Sequence, residues 1–274
     1  MTNPVGGFDH VIVGVADLQA ARQTYQRLGF TMSPRGRHIG WGTANYCIMF
    51  GADYIELLGI VDAAQFTNNL DKRLAESGGG LFSVTYTTAD ADAAFEALKP
   101  LGAEPPKQLK RLLELPEGTV EPAFELVHLP PQATPGAPGF VIQHLTREMV
   151  WRPEWQVHAN GAVGIASVSV RVADPGAAAK AYGKLFGEDA VALSAAGMMV
   201  RVGEGELYIS PTGPDEPEGP VGFEVKTSDL KQTEAALKES GVRFTGEGET
   251  LRVDEADACG AALSFSAGPA RPGV

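Results

Sequence analysis

Residues 10–17 (HVIVGVAD) return 157 positions later as residues 167–174 (SVSVRVAD). The likeness extends without an insertion into the next segment of each copy. Two weaker copies begin at residues 83–90 (SVTYTTAD) and 222–229 (GFEVKTSD). A match that continues through both a strand-like and a helix-like segment indicates an internal repeat. Such a repeat has to be recognised before single helices and strands are assigned. The start of one structural unit therefore occurs four times along the chain.

Each copy shows the same order of local signals. An alternating run rich in β-branched residues predicts a strand. An Ala-rich segment with apolar residues three and four positions apart then predicts a helix, and an Asp precedes it in the position of the helix N-cap. These capping residues are Asp17, Asp90, Asp174 and Asp229. Because further strand-like runs complete each copy, we predict an α+β protein of four tandem β-α-β-β-β units, paired into two domains.

The predicted pairing divides the chain into two halves. The N-terminal domain is expected to cover residues 1–147, with its two units at 1–60 and 81–147. Residues 148–162 contain two tryptophans between the copies, and we interpret them as a linker. The C-terminal domain is expected to cover residues 163–274.

Composition limits the class of partner. The chain has 274 residues, of which 44% are hydrophobic, and its formal net charge is −12. A cationic face for phosphates is not expected from such a balance, so we predict no nucleic-acid partner and no anionic membrane surface. No apolar run approaches the length of a membrane span, the start of the sequence does not resemble a secretion signal, and the two cysteines lie in different halves. We therefore expect a cytoplasmic monomer or homodimer that binds a small molecule.

Four stretches of the first unit resemble one known superfamily. They are residues 8–17 (FDHVIVGVAD), 25–30 (YQRLGF), 34–45 (PRGRHIGWGTAN) and 54–58 (YIELL). Together with the repeated unit, they resemble the vicinal oxygen chelate proteins, which include glyoxalase I, bleomycin and fosfomycin resistance proteins and extradiol dioxygenases. Within that group the chain is most similar to the glyoxalase-like domain proteins. The resemblance implies two glyoxalase/dioxygenase-like domains, each formed by a pair of units.

The resemblance also implies a divalent metal held by the first and last strand of each unit. Carried over to this chain, the ligand positions are His10 and Glu56 in the first unit, and Ser83 and Gln143 in the second. The implied metal set is therefore His10, Glu56 and Gln143, with Zn, Mn, Fe, Co or Ni as the possible ion. His144 is expected on the opposite face from Gln143, although a register slip of one residue would exchange the two. The C-terminal half has no good ligands at the matching positions.

His10 and Glu56 are also the expected catalytic pair. A partly open metal would polarise two neighbouring oxygens of a substrate, and a carboxylate can carry a proton during the reaction. Neither side chain can stay buried on a concave sheet face without a partner. Three interpretations remain open at this stage: a metal site, a metal-free polar pair in a ligand-binding cup, and a purely structural pair.

The Gly-punctuated segment 34–45 is the second candidate for binding. Loops on a rigid scaffold often carry binding groups, a guanidinium can grip a carboxylate or phosphate, and an indole can cover an apolar body. The alternative is a solvated loop whose Trp covers the core. The predicted substrate-binding residues are Arg37, His38, Trp41, Asn45 and Ser83. A second basic run, Lys107, Lys110 and Arg111, is interpreted as a solvated strand edge, with an anion-binding site as the alternative.

These observations lead to one leading hypothesis and two alternatives. The first is a metal-assisted lyase, isomerase or dioxygenase that acts on a small oxygen-rich molecule in the N-terminal cup. The second is a metal-free protein that binds or sequesters a small molecule, as bleomycin-resistance proteins do. The third is a catalytically inactive domain pair that acts through protein contacts.

Overall fold

The computed structural model describes residues 4–267, and the N-terminal half of this range forms a single curved sheet. Capping carboxylates begin its two repeat helices where predicted, because Asp17 accepts from the amides of Gln19 and Ala20, and Asp90 accepts from that of Ala93. The elements are β1 (Phe8–Val15), α1 (Leu18–Arg27), β2 (Gly36–His38), β3 (Thr43–Met49), β4 (Tyr54–Ile60), α2 (Leu70–Ser77), β5 (Gly80–Thr87), α3 (Ala91–Leu98), β6 (Lys107–Leu115), β7 (Gly118–Val120), β8 (Ala123–His128) and β9 (Phe140–His144).

The C-terminal half repeats the order of strand, helix and strands. Asp174 and Asp229 cap its helices through the amides of Ala177 and Lys231. The α+β class predicted from the sequence is thereby confirmed. The elements are β10 (Ala162–Val172), α4 (Pro175–Phe186), β11 (Val191–Ser194), β12 (Gly197–Val202), β13 (Gly205–Pro211), β14 (Gly219–Thr227), α5 (Leu230–Glu239), β15 (Phe244–Glu247), β16 (Thr250–Val253) and β17 (Ala262–Ala267).

The two sheets differ in closure. The first has the strand order β2-β3-β4-β1-β5-β9-β8-β6-β7, and a further pairing of β2 with β6 closes eight of these strands into a ring. The second has the order β11-β12-β13-β10-β14-β17-β16-β15 and remains open in the range the structure describes. In both, the central strands run antiparallel (β1 with β5, β10 with β14), and each is parallel to the last strand of its own unit. Only the first sheet therefore encloses a space.

A shared apolar core joins the halves, and the repeat places equivalent residues across it. Tyr25 and Tyr182 occupy matching positions on α1 and α4, and both are fully buried. The Tyr25 hydroxyl donates to the carbonyl of Ala258 (3.3 Å), and the Tyr182 hydroxyl donates to that of Pro135 (3.0 Å). Each tyrosine thus bonds the opposite half, so the internal repeat generates a pseudo-symmetric contact between the sheets.

The segment between the halves is tied down by a buried histidine. His158 accepts from the amide of Thr31 through Nδ1 (3.0 Å), and its Nε2 lies 3.0 Å from the carbonyl of Met49. Nearby, the Asn160 side chain donates to the carbonyl of Leu28 (2.9 Å). None of the helices described is long and apolar enough to cross a membrane. The connection between the sheets is thus a packed, hydrogen-bonded part of the fold.

We expect His158→Ala to lower the free energy of unfolding by about 2–4 kcal/mol, because it leaves two backbone groups without partners in a largely buried position. Val157→Ala is the matched control, since Val157 is 75% exposed and should behave like the wild type. Urea unfolding followed by circular dichroism measures both. Equal stability of the two variants would contradict the role given to His158.

The same variant should alter the pH dependence of stability. Burial lowers the pKa of His158 below its ordinary value of 6.5. As the pH falls, this histidine therefore takes up a proton at a higher pH in the unfolded chain than in the folded protein. The folded state loses stability as the pH falls below about 6.5. His158→Ala should lose less stability between pH 7 and pH 5 than the wild type does, in the same unfolding experiment.

Candidate active site

The ring of eight strands encloses a cavity of about 280 Å³. Most of its lining is apolar and comes from alternate residues of β1, β4, β6, β8 and β9, since successive side chains of a strand point to opposite faces. A smaller polar group interrupts this lining. Its members include His10, His38, Asn45, Glu56, Ser83 and Arg111. A mostly apolar cavity with a few polar side chains is the usual form of a small-molecule site.

His10 and Glu56 meet on the wall of this cavity. β1 and β4 are parallel neighbours, with His10 opposite Tyr54 and Ile12 opposite Glu56. All four side chains line the cavity, and the His10 Nε2 atom lies 3.4 Å from Glu56 Oε2. Both residues are more than nine-tenths buried. The structure therefore brings together the imidazole and the carboxylate in a shared concavity.

Two buried groups hold the His10 ring. Its Nδ1 atom lies 2.6 Å from Asp9 Oδ1 and 2.7 Å from Thr85 Oγ1, and the ring stacks on that of Tyr54 at 4.3 Å between centroids. An ionised carboxylate only accepts hydrogen bonds, so the ring proton belongs on Nδ1. The Nε2 atom is then left with a free lone pair beside Glu56. This is the arrangement of an oriented proton acceptor.

Asp9 also contacts a second histidine. His144 Nε2 lies 3.0 Å from Asp9 Oδ2, and Asp9 is fully buried. The β1–β5 ladder has a register shift between Phe8 and His10, which disturbs strict alternation at Asp9. Burial alone would raise the pKa of Asp9, but attraction to His144 and hydrogen bonds from both imidazoles outweigh it and hold that pKa well below its usual value. Asp9 is therefore a carboxylate at neutral pH, although sequence reasoning did not single it out.

Glu56 is positioned by Asn45. The Asn45 Nδ2 atom donates to Glu56 Oε1 at 2.6 Å, and β3 carries Asn45 next to β4. Gly36 makes this placement possible: a Cβ at that position would lie 2.2 Å from the Asn45 amide oxygen. Any other residue at Gly36 would displace the side chain that orients Glu56.

Four of the five predicted substrate-binding residues line the cavity, namely His38, Trp41, Asn45 and Ser83. His38 Nδ1 lies 2.8 Å from Thr43 Oγ1, and burial lowers the pKa of His38, which favours the neutral ring. The Ser83 hydroxyl donates to the carbonyl of Pro138 at 2.8 Å. Arg37 is exposed on the outer side of β2 and lines a separate groove. Its assignment to the same site is corrected because it alternates with the inward-facing His38.

The placement of Gln143 is also corrected. Ile142 lines the cavity, whereas Gln143 lies on the other face of β9, where its Oε1 accepts from the amide of Ala91 at 2.9 Å. The assignment of Gln143 to the ligand position on the last strand of the second unit was one residue out of register, and such a slip reverses every side chain of a strand. His144 lies on the inner face of β9 instead, where its Nε2 atom contacts Asp9 Oδ2.

Arg111 is a cavity residue that sequence reasoning placed at a solvated edge. It is 5% exposed rather than solvated, and it lines the cavity. β6 is not a free edge at this point because β2 pairs with it, with His38 opposite Arg111. One signal was available in the sequence: Arg111 is in phase with Leu109, Leu113 and Leu115, which share one face of β6.

The donor set of the cavity does not fit a resident divalent metal. The expected ligand positions hold His10 and Glu56, then Ser83, whose hydroxyl is already engaged, and the apolar Ile142. No cluster of three or more His, Cys, Asp or Glu with metal-binding geometry occurs in residues 4–267. The guanidinium of Arg111, which lines the same cavity, would also repel a divalent cation.

The second sheet lacks a counterpart of the pair. In the register of β10 and β13, Ser167 takes the position of His10 and Tyr208 takes that of Glu56. Tyr208 is 37% exposed. The His–Glu arrangement is thus confined to the ring formed by the first half.

Comparisons with solved structures agree with this architecture. A hypothetical protein from Staphylococcus aureus has a TM-score of 0.68 at 15% identity, and the match covers 95% of this chain and 98% of that chain. A triple mutant of 4-hydroxymandelate synthase from Streptomyces coelicolor has a TM-score of 0.65 at 12% identity, over 99% of this chain and 95% of that one. A xylose isomerase-like TIM barrel/4-hydroxyphenylpyruvate dioxygenase fusion protein has a TM-score of 0.60 at 11% identity, over all of this chain and 51% of that one. At such identities these likenesses show the fold alone.

Comparisons of sequence identify the family. No curated protein matches the chain. The family model described as glyoxalase-like domain matches residues 8–186, which include the whole ring of strands and the first repeat helix of the second half. The chain therefore belongs to the glyoxalase-like domain family, within the vicinal oxygen chelate superfamily.

Proposed function

We propose that this protein is an enzyme that transfers a proton on a small molecule bound in the cavity of the N-terminal half. His10 is the group that takes the proton, and Glu56 is its partner. The observation that carries the proposal is the 3.4 Å approach of His10 Nε2 to Glu56 Oε2 on the wall of the cavity, with each side chain oriented from behind by a buried polar group. Solved structures with a similar fold include enzymes, which supports the proposal.

The chemistry follows from the orientation of the two side chains. With its proton on Nδ1, His10 accepts a proton at Nε2 from a carbon next to a carbonyl group. The C–H electron pair forms the carbon–carbon double bond of an enolate, and the carbonyl π pair moves onto its oxygen. The Glu56 carboxylate stabilises the positive charge that forms on the ring. Return of the proton to a neighbouring atom completes an isomerisation, and expulsion of a leaving group completes an elimination. These are isomerase and lyase reactions, and neither requires an oxidant.

A metal-free binding protein is the second candidate, and the apolar lining of the cavity favours it. Such a protein would use the same cavity without turnover. The metal-assisted form of the enzyme, expected from the resemblance, is not proposed because the donor set does not fit the ion.

Deuterium exchange tests the proposal without knowledge of the natural substrate. Small 2-oxo acids, 3-oxo acids and α-hydroxyketones that bind the protein are incubated with it in D₂O, and their exchangeable C–H signals are followed by proton NMR. We expect at least one bound compound to lose its signal faster than in buffer, at a rate that a chelator such as EDTA does not change. Bound compounds that exchange no faster than in buffer would support the binding protein, and a rate abolished by EDTA and restored by a metal would restore the metal mechanism.

A further inference from the structure

Arg111 is a buried cation without a direct countercharge. Its Nη1 atom donates to Cys47 Sγ at 3.3 Å, its guanidinium carbon lies 5.5 Å from the centre of the Phe124 ring, and its Nε atom has no hydrogen-bond partner. Within residues 4–267, no carboxylate lies within 4.0 Å of its guanidinium nitrogens. Buried charges are normally paired, because the loss of hydration is otherwise uncompensated.

The carboxylates near the cavity have other neighbours, and Glu56 attracts Arg111 without an ion pair between them. Asp9 contacts both His10 and His144, and Glu56 contacts His10 and Asn45. Arg111 therefore lines the cavity with a guanidinium whose Nε donor has no partner in the protein.

A second guanidinium lines the same cavity. Arg73, which is partly buried, donates to the carbonyl of Phe82 at 3.2 Å and lies over the ring of Phe82, 5.1 Å from its centre. It too lacks a carboxylate within 4.0 Å among the residues that the structure covers. Two guanidiniums without ion pairs give the cavity a local positive character, although the whole chain carries a net charge of −12.

We propose that the ligand of this cavity is a carboxylate with an apolar body, and that Arg111 binds its carboxylate group. The inference rests on the proposed function and names its substrate class. A planar carboxylate matches the fork of a guanidinium, and the apolar body would contact side chains such as Leu109, Phe124 and Phe140. A phosphate is less suited, because its second charge would face Glu56 with one fully buried guanidinium to balance it.

The size of the cavity agrees with a compact ligand. A volume of about 280 Å³ is at the lower end of small-molecule pockets, and it suits a single ring or a short alkyl chain. Bound there, the carboxylate at Arg111 would leave the adjacent carbon available to His10 and Glu56, which line the same space.

Matched neutral ligands test the inference at equilibrium, without any turnover. The probes are phenylacetate, 3-phenylpropionate and hexanoate, each compared with its amide, together with benzyl phosphate. Binding to the wild type and to Arg111→Met, Arg111→Lys and Arg73→Met is measured by isothermal titration calorimetry, and folding is checked by circular dichroism. We expect the wild type to bind at least one carboxylate about tenfold or more tightly than its amide.

The variants separate Arg111 from the general charge of the cavity. Arg111→Met should reduce the preference for carboxylate over amide to less than about twofold, Arg111→Lys should keep part of it, and Arg73→Met should keep most of it. If Arg111→Met does not fold, the carboxylate preference of Arg111→Lys is compared with that of Arg73→Met. The preference should be partly lost in Arg111→Lys and mostly kept in Arg73→Met.

Three results would overturn the inference: no carboxylate preference in the wild type, an unchanged preference in Arg111→Met or in Arg111→Lys, or tighter binding of benzyl phosphate than of every carboxylate. Calorimetry measures binding without any reaction. A carboxylate preference without deuterium exchange would therefore contradict the proton-transfer function while supporting the role of Arg111.

Discussion

His10→Gln will lower the rate of deuterium exchange in the best compound by about 100- to 10,000-fold, which is the usual contribution of a positioned general base. Glutamine fills a similar volume and can still bond Asp9, but it offers no imidazole lone pair toward Glu56. Ligand affinity should stay within a few-fold of the wild type, because the apolar wall and Arg111 are untouched. Exchange is measured by proton NMR at saturating compound.

Glu56→Gln should act in the same direction with a smaller effect. It retains an oxygen that can accept from Asn45, but it removes the charge beside His10 that stabilises the imidazolium during transfer. Arg37→Gln is the control, because Arg37 is exposed outside the cavity and should leave the rate unchanged. An exchange rate of His10→Gln within about threefold of the wild type would remove His10 from the reaction.

Asp9→Ala will produce the largest loss of stability that we expect at the site. Asp9 is fully buried, and its carboxylate contacts His10 at 2.6 Å and His144 at 3.0 Å. Removing one partner from a buried charged network typically costs about 3–5 kcal/mol, because the remaining polar groups lose their partner without regaining water. Urea unfolding monitored by circular dichroism measures the difference, with Asp189→Ala as a control at a mostly exposed carboxylate. A stability equal to that of the wild type would contradict the network.

The pH dependence of stability provides a second, independent test of the role of Asp9. The pKa of Asp9 is lower in the folded state than its ordinary value of 3.8, because His10 and His144 outweigh the effect of burial. The unfolded chain therefore binds this proton first, so the contribution of Asp9 is fully present above about pH 4 and is lost as the pH falls further. Asp9→Ala should have a flatter stability curve than the wild type between pH 4.5 and pH 3.

Several features of the site followed from local periodicity. The repeat identified β1 and β4 as the first and last strands of a unit, and the alternation of side chains placed His10 with Ile12 and Glu56 with Tyr54. Parallel pairing of those strands then brings the two inward faces together. The structure agrees with this part of the expectation because a period of two along neighbouring strands is a local property of the chain.

Other features depended on contacts between distant segments. The pairing of β2 with β6 closes the ring and turns Arg111 from a presumed edge residue into a buried one. The register of β9 exchanges Gln143 for His144, and the shift between Phe8 and His10 gives Asp9 its two imidazole partners. Neither a register nor a closure is encoded in one short window, since each is set by which strands pair and where.

The amino-acid sequence by itself determined the repeated unit, the α+β class, the capped helices and the pair of strands that carry His10 and Glu56. Each of these is a short-range consequence of alternation, helical spacing and capping chemistry. Only the tertiary structure decided that the first sheet closes while the second stays open, and that closure buries Arg111 in the same cavity as the pair. The physical reason is that a buried charge and an enclosed space arise from many segments packing together, so no local pattern specifies them.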